Sequence, residues 1–156
     1  MQLVNEYQML HSGNNMPILK IVDQHSVTDE FEFVGSPEDF AFLIEAWFSP
    51  NLLNEEIVYI FSLDVDYNIT GVFQIPYKNM KEVTLIARDI FMMMLLIGAE
   101  RCTIVHHNPN LEYKEHRFSN NEKKDMSYLS CIGNLLGIEV IDFIVFGNDS
   151  IYFWHK

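Results

Sequence analysis

The feature that most constrains the fold is a nearly unbroken apolar run of strand length, Ile57 to Leu63. Such a run is typical of a β-strand that is covered on both faces, because a half-exposed strand alternates apolar and polar residues. Turn-forming residues follow at 64–68, and a second strand pattern runs from Ile69 to Ile75. These segments predict a hairpin within a larger sheet.

Three segments carry helical spacing, and their predicted ranges are 36–49, 82–97 and 119–136. Ser36 begins the first, since serine caps free backbone N–H groups and Pro37 is tolerated at the first helical position. Gly137 stands where a helix C-terminal cap is expected.

Further strands are predicted over 16–22, 101–105, 138–146 and 150–154. The resulting order is β, α, β-β, α, β, α, β-β, which predicts an α/β (α+β) fold with a mixed sheet flanked by about three helices. Residues 1–15 are largely polar and contain Gly13, so we expect a flexible N-terminal arm. Residues 16–156 are then predicted to form one domain.

The charge balance argues against two classes of partner. Ten Lys and Arg oppose 22 Asp and Glu, which gives a formal net charge of −12. Non-specific DNA affinity depends on cations that displace counterions, so direct binding to nucleic acid or to an anionic membrane is disfavoured. The longest apolar stretch, Ile90 to Ala99, is far shorter than the roughly 20 residues that a membrane span needs.

The cysteines and the N-terminus indicate a compartment. Cys102 and Cys131 are far apart and match no metal-binding spacing, so we expect buried free thiols in a reducing environment. The first residues lack the basic start and apolar run of a signal peptide. The sequence therefore predicts a cytoplasmic protein.

The second predicted helix, 82–97, is apolar around almost its whole circumference. A helix of this kind is either buried in the core or hides one face against another chain. Core packing and self-association, or binding of a protein partner, both stay open for this helix.

One constellation has the layout of a zinc site. The strand at 101–105 leads into His106, His107 and Asn108, and Glu122 lies at a helix start about a dozen residues later. Positions 106 and 108 share a face if the strand continues. A hydrolytic zinc site needs three protein ligands, one open position for water and a nearby base.

Several segments, in order, resemble the RadC-like JAB (JAMM, MPN-type) family: SPEDFA at 36–41, Leu63-Asp64, Arg88 to Phe91, Ile104 to Pro109, Leu135 to Ile138 and Ile141-Asp142. This resemblance implies a JAB/MPN-like fold with a cytidine-deaminase-like three-layer arrangement. It also implies a zinc-hydrolase site with two His ligands, one Asp ligand and a Glu general base.

The resemblance assigns these roles position by position. His106 matches the first His, whereas Asn108 stands in place of the second, and an amide is a poor zinc ligand beside imidazole. Ser119 and Glu122 match the Ser and Asp of the family's S-x-x-D pattern. The base position falls near 71–73, where the chain has no carboxylate. The metal site is therefore expected to be degenerate.

Other interpretations of these residues remain open. Ser119 and Glu122 have the spacing of a helix capping box. His107 or His116 is a candidate rescuing ligand in place of Asn108. An Asn-Pro pair after a strand is also an ordinary turn.

The sequence thus predicts a RadC-like JAB domain protein that is catalytically inactive, binds another protein and needs no cofactor. The alternative is a divergent zinc-dependent metallopeptidase or isopeptidase with a rearranged His/Glu site. A role in DNA maintenance follows only from the family's name, and fold analogy does not establish function.

Overall fold

A computed structural model of the chain describes residues 2–14, 16–27, 35–49, 54–76, 83–111, 118–148 and 151–155. The elements follow the order β1 (Gln2–His11), β2 (Pro17–Val27), α1 (Pro37–Phe48), β3 (Ile57–Leu63), β4 (Ile69–Pro76), α2 (Val83–Leu96), β5 (Arg101–His107), α3 (Asn120–Leu136), β6 (Glu139–Phe146) and β7 (Ile151–His155).

The described strands form one seven-stranded sheet in the order β2-β1-β4-β3-β5-β6-β7. The pairs β1/β4 and β5/β6 are parallel, whereas the other neighbouring strands are antiparallel. All seven residues of β3 are buried, because this strand lies at the centre of the sheet and is covered on both faces. The predicted hairpin of β3 and β4 is confirmed.

Two hydrophobic clusters make the fold a three-layer one. On one face, Phe40 and Ile44 of α1 pack with Tyr59 and Phe61 of β3. On the other face, side chains of α2 and α3 pack with the alternate residues of β3, beginning with Val58. The mixed sheet with three helices confirms the predicted fold class.

The helix ends use the predicted capping residues. Ser36 caps α1, and its side chain accepts a hydrogen bond from the backbone N–H of Asp39. Gly137 ends α3 in the left-handed conformation, with φ of 73°, which a residue without Cβ adopts readily. The end of α3 at Gly137 leads directly into β6, which begins at Glu139.

The expectation of a flexible arm over residues 1–15 is wrong for most of that segment. Gln2–His11 is strand β1, which pairs with β2 along its length and with β4 at Asn5 and Glu6. The polar composition was misleading because β1 is held mainly by backbone pairing, and Val4 is its only fully buried residue. The cysteine prediction also needs correction, since Cys102 is buried but Cys131 is exposed on α3.

Helix α2 is a core helix with an exposed apolar end. Ile90, Phe91 and Met94 are buried, whereas Leu95 and Leu96 are about half exposed. Within the described ranges, no helix combines the length and the apolar composition needed to cross a membrane.

Candidate functional site

His106 lies near the C-terminal end of β5, an inner strand of the sheet. The strand is two residues longer than predicted and ends at His107. His106 lies opposite Val58 of β3 and beside Val145 of β6. Because side chains alternate along a strand, His106 shares its face with Ile104, which packs in the α2/α3 cluster.

A carboxylate that the sequence analysis missed lies beside His106. The Nε2 atom of His106 is 2.6 Å from Oε1 of Glu56, the residue just before β3. The two side chains are 18% and 31% exposed. A carboxylate can only accept, so the imidazole donates this hydrogen bond from Nε2. The pairing of β3 with β5 brings these two residues together. Because these strands are not consecutive in the chain, no local sequence pattern indicates the contact.

Burial keeps the imidazole of His106 neutral over a wider pH range than usual. Desolvation lowers its pKa and outweighs the opposing effects of the Glu56 charge and hydrogen bond. The charge of Glu122 also raises the pKa of His106, so this carboxylate lies within electrostatic range. Neutral His106 therefore holds its proton on Nε2, towards Glu56.

His107 lies on the opposite face of β5 from His106. Its side chain is fully buried, and its ring centroid is 4.9 Å from that of Phe146. Nδ1 donates a hydrogen bond of 3.1 Å to the backbone carbonyl of Glu55, and burial lowers the pKa of the imidazole. The structure does not bring this candidate rescuing ligand to the site of His106.

Asn108 begins a tight turn after β5. Its side-chain Oδ1 accepts a 3.0 Å hydrogen bond from the N–H of Asn110, and its carbonyl accepts one of 3.1 Å from Leu111. Gly147 closes over this turn, since a Cβ there would lie 2.8 Å from the carbonyl oxygen of Asn108. The prediction of an Asn-Pro turn is confirmed.

Ser119 and Glu122 form the predicted capping box of α3. The hydroxyl of Ser119 accepts a 3.1 Å hydrogen bond from the N–H of Glu122, and Oε2 of Glu122 accepts one of 2.6 Å from the N–H of Ser119. One carboxylate oxygen is thus held at the helix N-terminus. His116, the other candidate rescuing ligand, falls outside the described residues.

Among the residues that the structure describes, those around His106 form no preformed three-ligand group. Over the described ranges, one group of three potential metal ligands has its ligand atoms within 4.8 Å of one another. It consists of Glu6, Asp23 and His25 on the β1–β2 hairpin. His106 belongs to no such group in this part of the chain. The described residues of the site are the imidazole of His106, the carboxylate of Glu56 that is hydrogen-bonded to it, and the carboxylate of Glu122 within electrostatic range.

The fold has three layers, with an imidazole at the end of the strand β5 and a carboxylate in the N-terminal cap of α3. These features define a JAB-type α/β domain. The model of the RadC-like JAB domain family matches residues 34–155, and the chain belongs to this family. No curated protein gives a significant match. The matched region begins after β2, so the β1–β2 hairpin lies outside it.

Proposed function

We propose that this RadC-like JAB domain is catalytically inactive and acts by binding protein, in the first place a second copy of itself. The observation that supports inactivity is the hydrogen bond from Nε2 of His106 to Glu56. In this tautomer the lone pair of the imidazole lies on Nδ1, so Nε2 binds a metal ion only after it gives up its proton. Because an amide also replaces the second imidazole at Asn108, we expect no tightly bound zinc at His106.

The neighbouring positions support the same proposal. Zinc hydrolases use three protein ligands and leave one position open for water. The amide of Asn108 is a weaker ligand than imidazole, and its oxygen already accepts a turn hydrogen bond. Glu122 already accepts the capping hydrogen bond from Ser119. These hydrogen bonds hold both side chains in a turn and a helix cap, so a zinc ion would compete with local structure for them.

An apolar groove between α2 and α3 supports the binding role. It has a volume of about 410 Å³. It is lined by Ala87, Arg88, Phe91, Met92, Leu95, Tyr128, Ile132 and Leu136. Two leucines of this lining are exposed, Leu95 by 54% and Leu136 by 43%. Clustered exposed leucines of this kind mark interaction surfaces in soluble proteins.

A second copy of the chain is the occupant that we propose for this groove. A two-fold axis places the same patch of both copies face to face, so the exposed leucines of one copy would meet the apolar groove of the other. The net charge of −12 opposes this association, and salt screens that repulsion. The proposal therefore predicts association that strengthens as the ionic strength rises.

Sedimentation tests the self-association. We expect wild-type protein to form dimers at high salt, and Leu95→Asp to abolish them. The matched control is Leu3→Asp, at an exposed leucine on β1 far from the groove in sequence. A wild-type monomer at every salt concentration, or dimers that survive in Leu95→Asp, would contradict the proposal.

A hydrolysis assay tests the inactivity. Purified protein is incubated with zinc and with peptides and isopeptide-linked substrates, beside His106→Ala and a chelator control. We expect no cleavage that depends on both zinc and His106. Chelator-sensitive cleavage that is lost in His106→Ala would overturn this part of the proposal.

The alternative is a divergent zinc-dependent metallopeptidase or isopeptidase with a rearranged His/Glu site. One observation favours it: Glu56 provides a carboxylate beside His106, although positions 71–73 have none. Under this alternative, Glu56→Gln abolishes cleavage, whereas Glu55→Gln, whose carboxylate makes no described contact with His106, retains it.

A cytoplasmic location and the absence of direct nucleic-acid binding are also part of the proposal. Both described cysteines are free thiols, as in proteins of a reducing compartment. The net charge of −12 opposes contact with phosphate backbones. A gel shift that survives physiological salt would contradict the second statement.

A further inference from the structure

The β1–β2 hairpin carries a cluster of ligand-type side chains outside the family region. Glu6 of β1 lies directly opposite Asp23 of β2, and His25 is two residues further along β2. Residues two apart on a strand share a face, so all three side chains project from the same side of the hairpin. One carboxylate or imidazole atom of each lies within 4.8 Å of the others.

The cluster is partly sheltered and internally connected. Nε2 of His25 is 2.9 Å from Oε2 of Glu6, and the two side chains are only 10% and 13% exposed. The other oxygen of Glu6 accepts a 2.9 Å hydrogen bond from the side-chain amide of Gln74 on β4. Oδ1 of Asp23 accepts one of 2.8 Å from the N–H of Gln24. These contacts leave Asp23 on the solvent side.

Aromatic rings hold the imidazole of His25 in place. The indole of Trp47 stacks on it at a centroid distance of 4.9 Å, and Phe48 meets it edge-on at the same distance. The Nε1–H of Trp47 donates to the backbone carbonyl of Ser26, which fixes the indole against β2. A ligand that is already oriented loses little rotational freedom when it binds.

Two of the three side chains in the cluster are carboxylates, and they face each other across the hairpin. Two carboxylates directly opposite each other on neighbouring strands destabilise the pair, and Glu6 and Asp23 are such a pair. A divalent cation would remove this repulsion, with the proton of the His25 imidazole on Nδ1 so that the lone pair of Nε2 faces the ion.

A buried hydroxyl on the same face of the sheet, connected to the cluster through the ring of Phe48, is a second observation. Tyr59 is fully buried, and its hydroxyl has no hydrogen-bond partner among the described residues. Burial raises the pKa of Tyr59, and the charges of Glu45 and Glu6 raise it further, so the hydroxyl lies within electrostatic range of Glu6. Its ring stacks on Phe48, which also contacts His25. A water bound at the cluster would satisfy such a group.

We propose that Glu6, Asp23 and His25 bind one divalent transition-metal ion, of the class of zinc or cobalt. One imidazole with two carboxylates suits these borderline cations, whereas calcium and magnesium prefer oxygen ligands alone. The ion would link β1 to β2 at the point where β1 also pairs with β4. This site is separate from His106 and does not depend on the proposed function.

Calorimetric titration of the full chain with zinc tests this site, with cobalt(II) absorption as a spectroscopic readout. We expect one zinc ion per chain and a higher melting temperature with zinc, because the ion binds only the folded form. Asp23→Asn should weaken binding by about tenfold or more, and His25→Gln should weaken it further. His106→Ala and His11→Gln, at an exposed histidine of β1, should bind like the wild type.

Two results would overturn the proposal. One is wild-type protein that binds no zinc, and the other is Asp23→Asn that binds zinc as tightly as the wild type. Asp23 is exposed, so its conservative variant keeps the test decisive even if His25→Gln fails to fold. If zinc binding were lost in His106→Ala alone, the ion would have to bind at His106, and this proposal would be contradicted.

Discussion

Nε2 of His106 at the end of β5 lies 2.6 Å from Oε1 of Glu56 at the start of β3. The antiparallel pairing of the two strands, with Val58 opposite His106, brings the imidazole and the carboxylate to the same side of the sheet. This hydrogen bond engages the imidazole that the family resemblance assigns to a metal ion. Its consequences for protonation can be measured directly.

Removal of the Glu56 carboxylate should lower the pKa of His106 further. The charge of Glu56 and its hydrogen bond both raise this pKa against the larger effect of burial. We expect the NMR titration midpoint of His106 to fall in Glu56→Gln. The control is Glu55→Gln, which should leave the midpoint unchanged. A rise in the Glu56→Gln midpoint would contradict the described geometry.

The stability of the protein should fall as the pH drops below neutrality. Burial lowers the pKa of both His106 and His107 below the ordinary value of 6.5, so the unfolded chain takes up protons first. The contribution to stability is complete above about pH 6.5 and is lost as the pH falls through the folded-state pKa values. Each imidazole adds a slope of at most about 1.4 kcal/mol per pH unit.

Urea unfolding at a series of pH values measures this slope. His107→Gln should reduce it, because one buried titrating ring has been removed. Ile104→Val, a mild core change on the same strand, should lower the stability equally at every pH. A His107→Gln variant with the full wild-type slope would show that His107 does not titrate as described.

The capping box of α3 should be worth a measurable amount of stability. Ser119→Ala removes the hydroxyl that accepts the N–H of Glu122, and losing an N-cap of this kind costs about 1 kcal/mol. Ser127→Ala is the matched control, since Ser127 lies exposed inside the same helix and alanine favours helices. Equal unfolding midpoints for the two variants would contradict a capping role for Ser119.

Gly133 should not tolerate a side chain, although it lies inside a helix. A Cβ there would clash with the carbonyl oxygen of Ile138, so α3 would have to move away from β6. Gly133→Ala gains about 1 kcal/mol in helix propensity but overpacks a tight contact at a cost of about 1–3 kcal/mol.

We therefore expect net destabilisation of Gly133→Ala in denaturant unfolding. Gly13→Ala serves as the control, because a Cβ at Gly13 meets nothing within 4 Å. A Gly133→Ala protein that is as stable as the wild type would mean that α3 sits further from β6 than described.

Local signals in the sequence predicted the elements that depend on neighbouring residues. Each of these signals depends on residues that are close in sequence. They are the apolar run of β3, the serine caps of α1 and α3, and the glycine after α3. The capping box at Ser119 and the turn at Asn108 were also predicted as alternatives to a metal site. These features require no knowledge of which strands pair.

Contacts between distant segments were not predictable in the same way. Glu56 meets His106 only because β3 pairs with β5, although β4 and α2 separate them in the chain. The cluster of Glu6, Asp23 and His25 depends on the register of β1 against β2, and β1 itself was expected to be an arm. The polar sequence of β1 concealed a strand whose stability comes from backbone pairing.

The most direct test of the central claim is the imidazole NMR spectrum of His106, recorded with and without one equivalent of zinc. We predict that Nε2 of His106 keeps its proton and its hydrogen bond to Glu56, so that its resonances do not move. Loss of that proton with a zinc-dependent shift of the His106 resonances, accompanied by peptide cleavage, would contradict the account of an inactive domain.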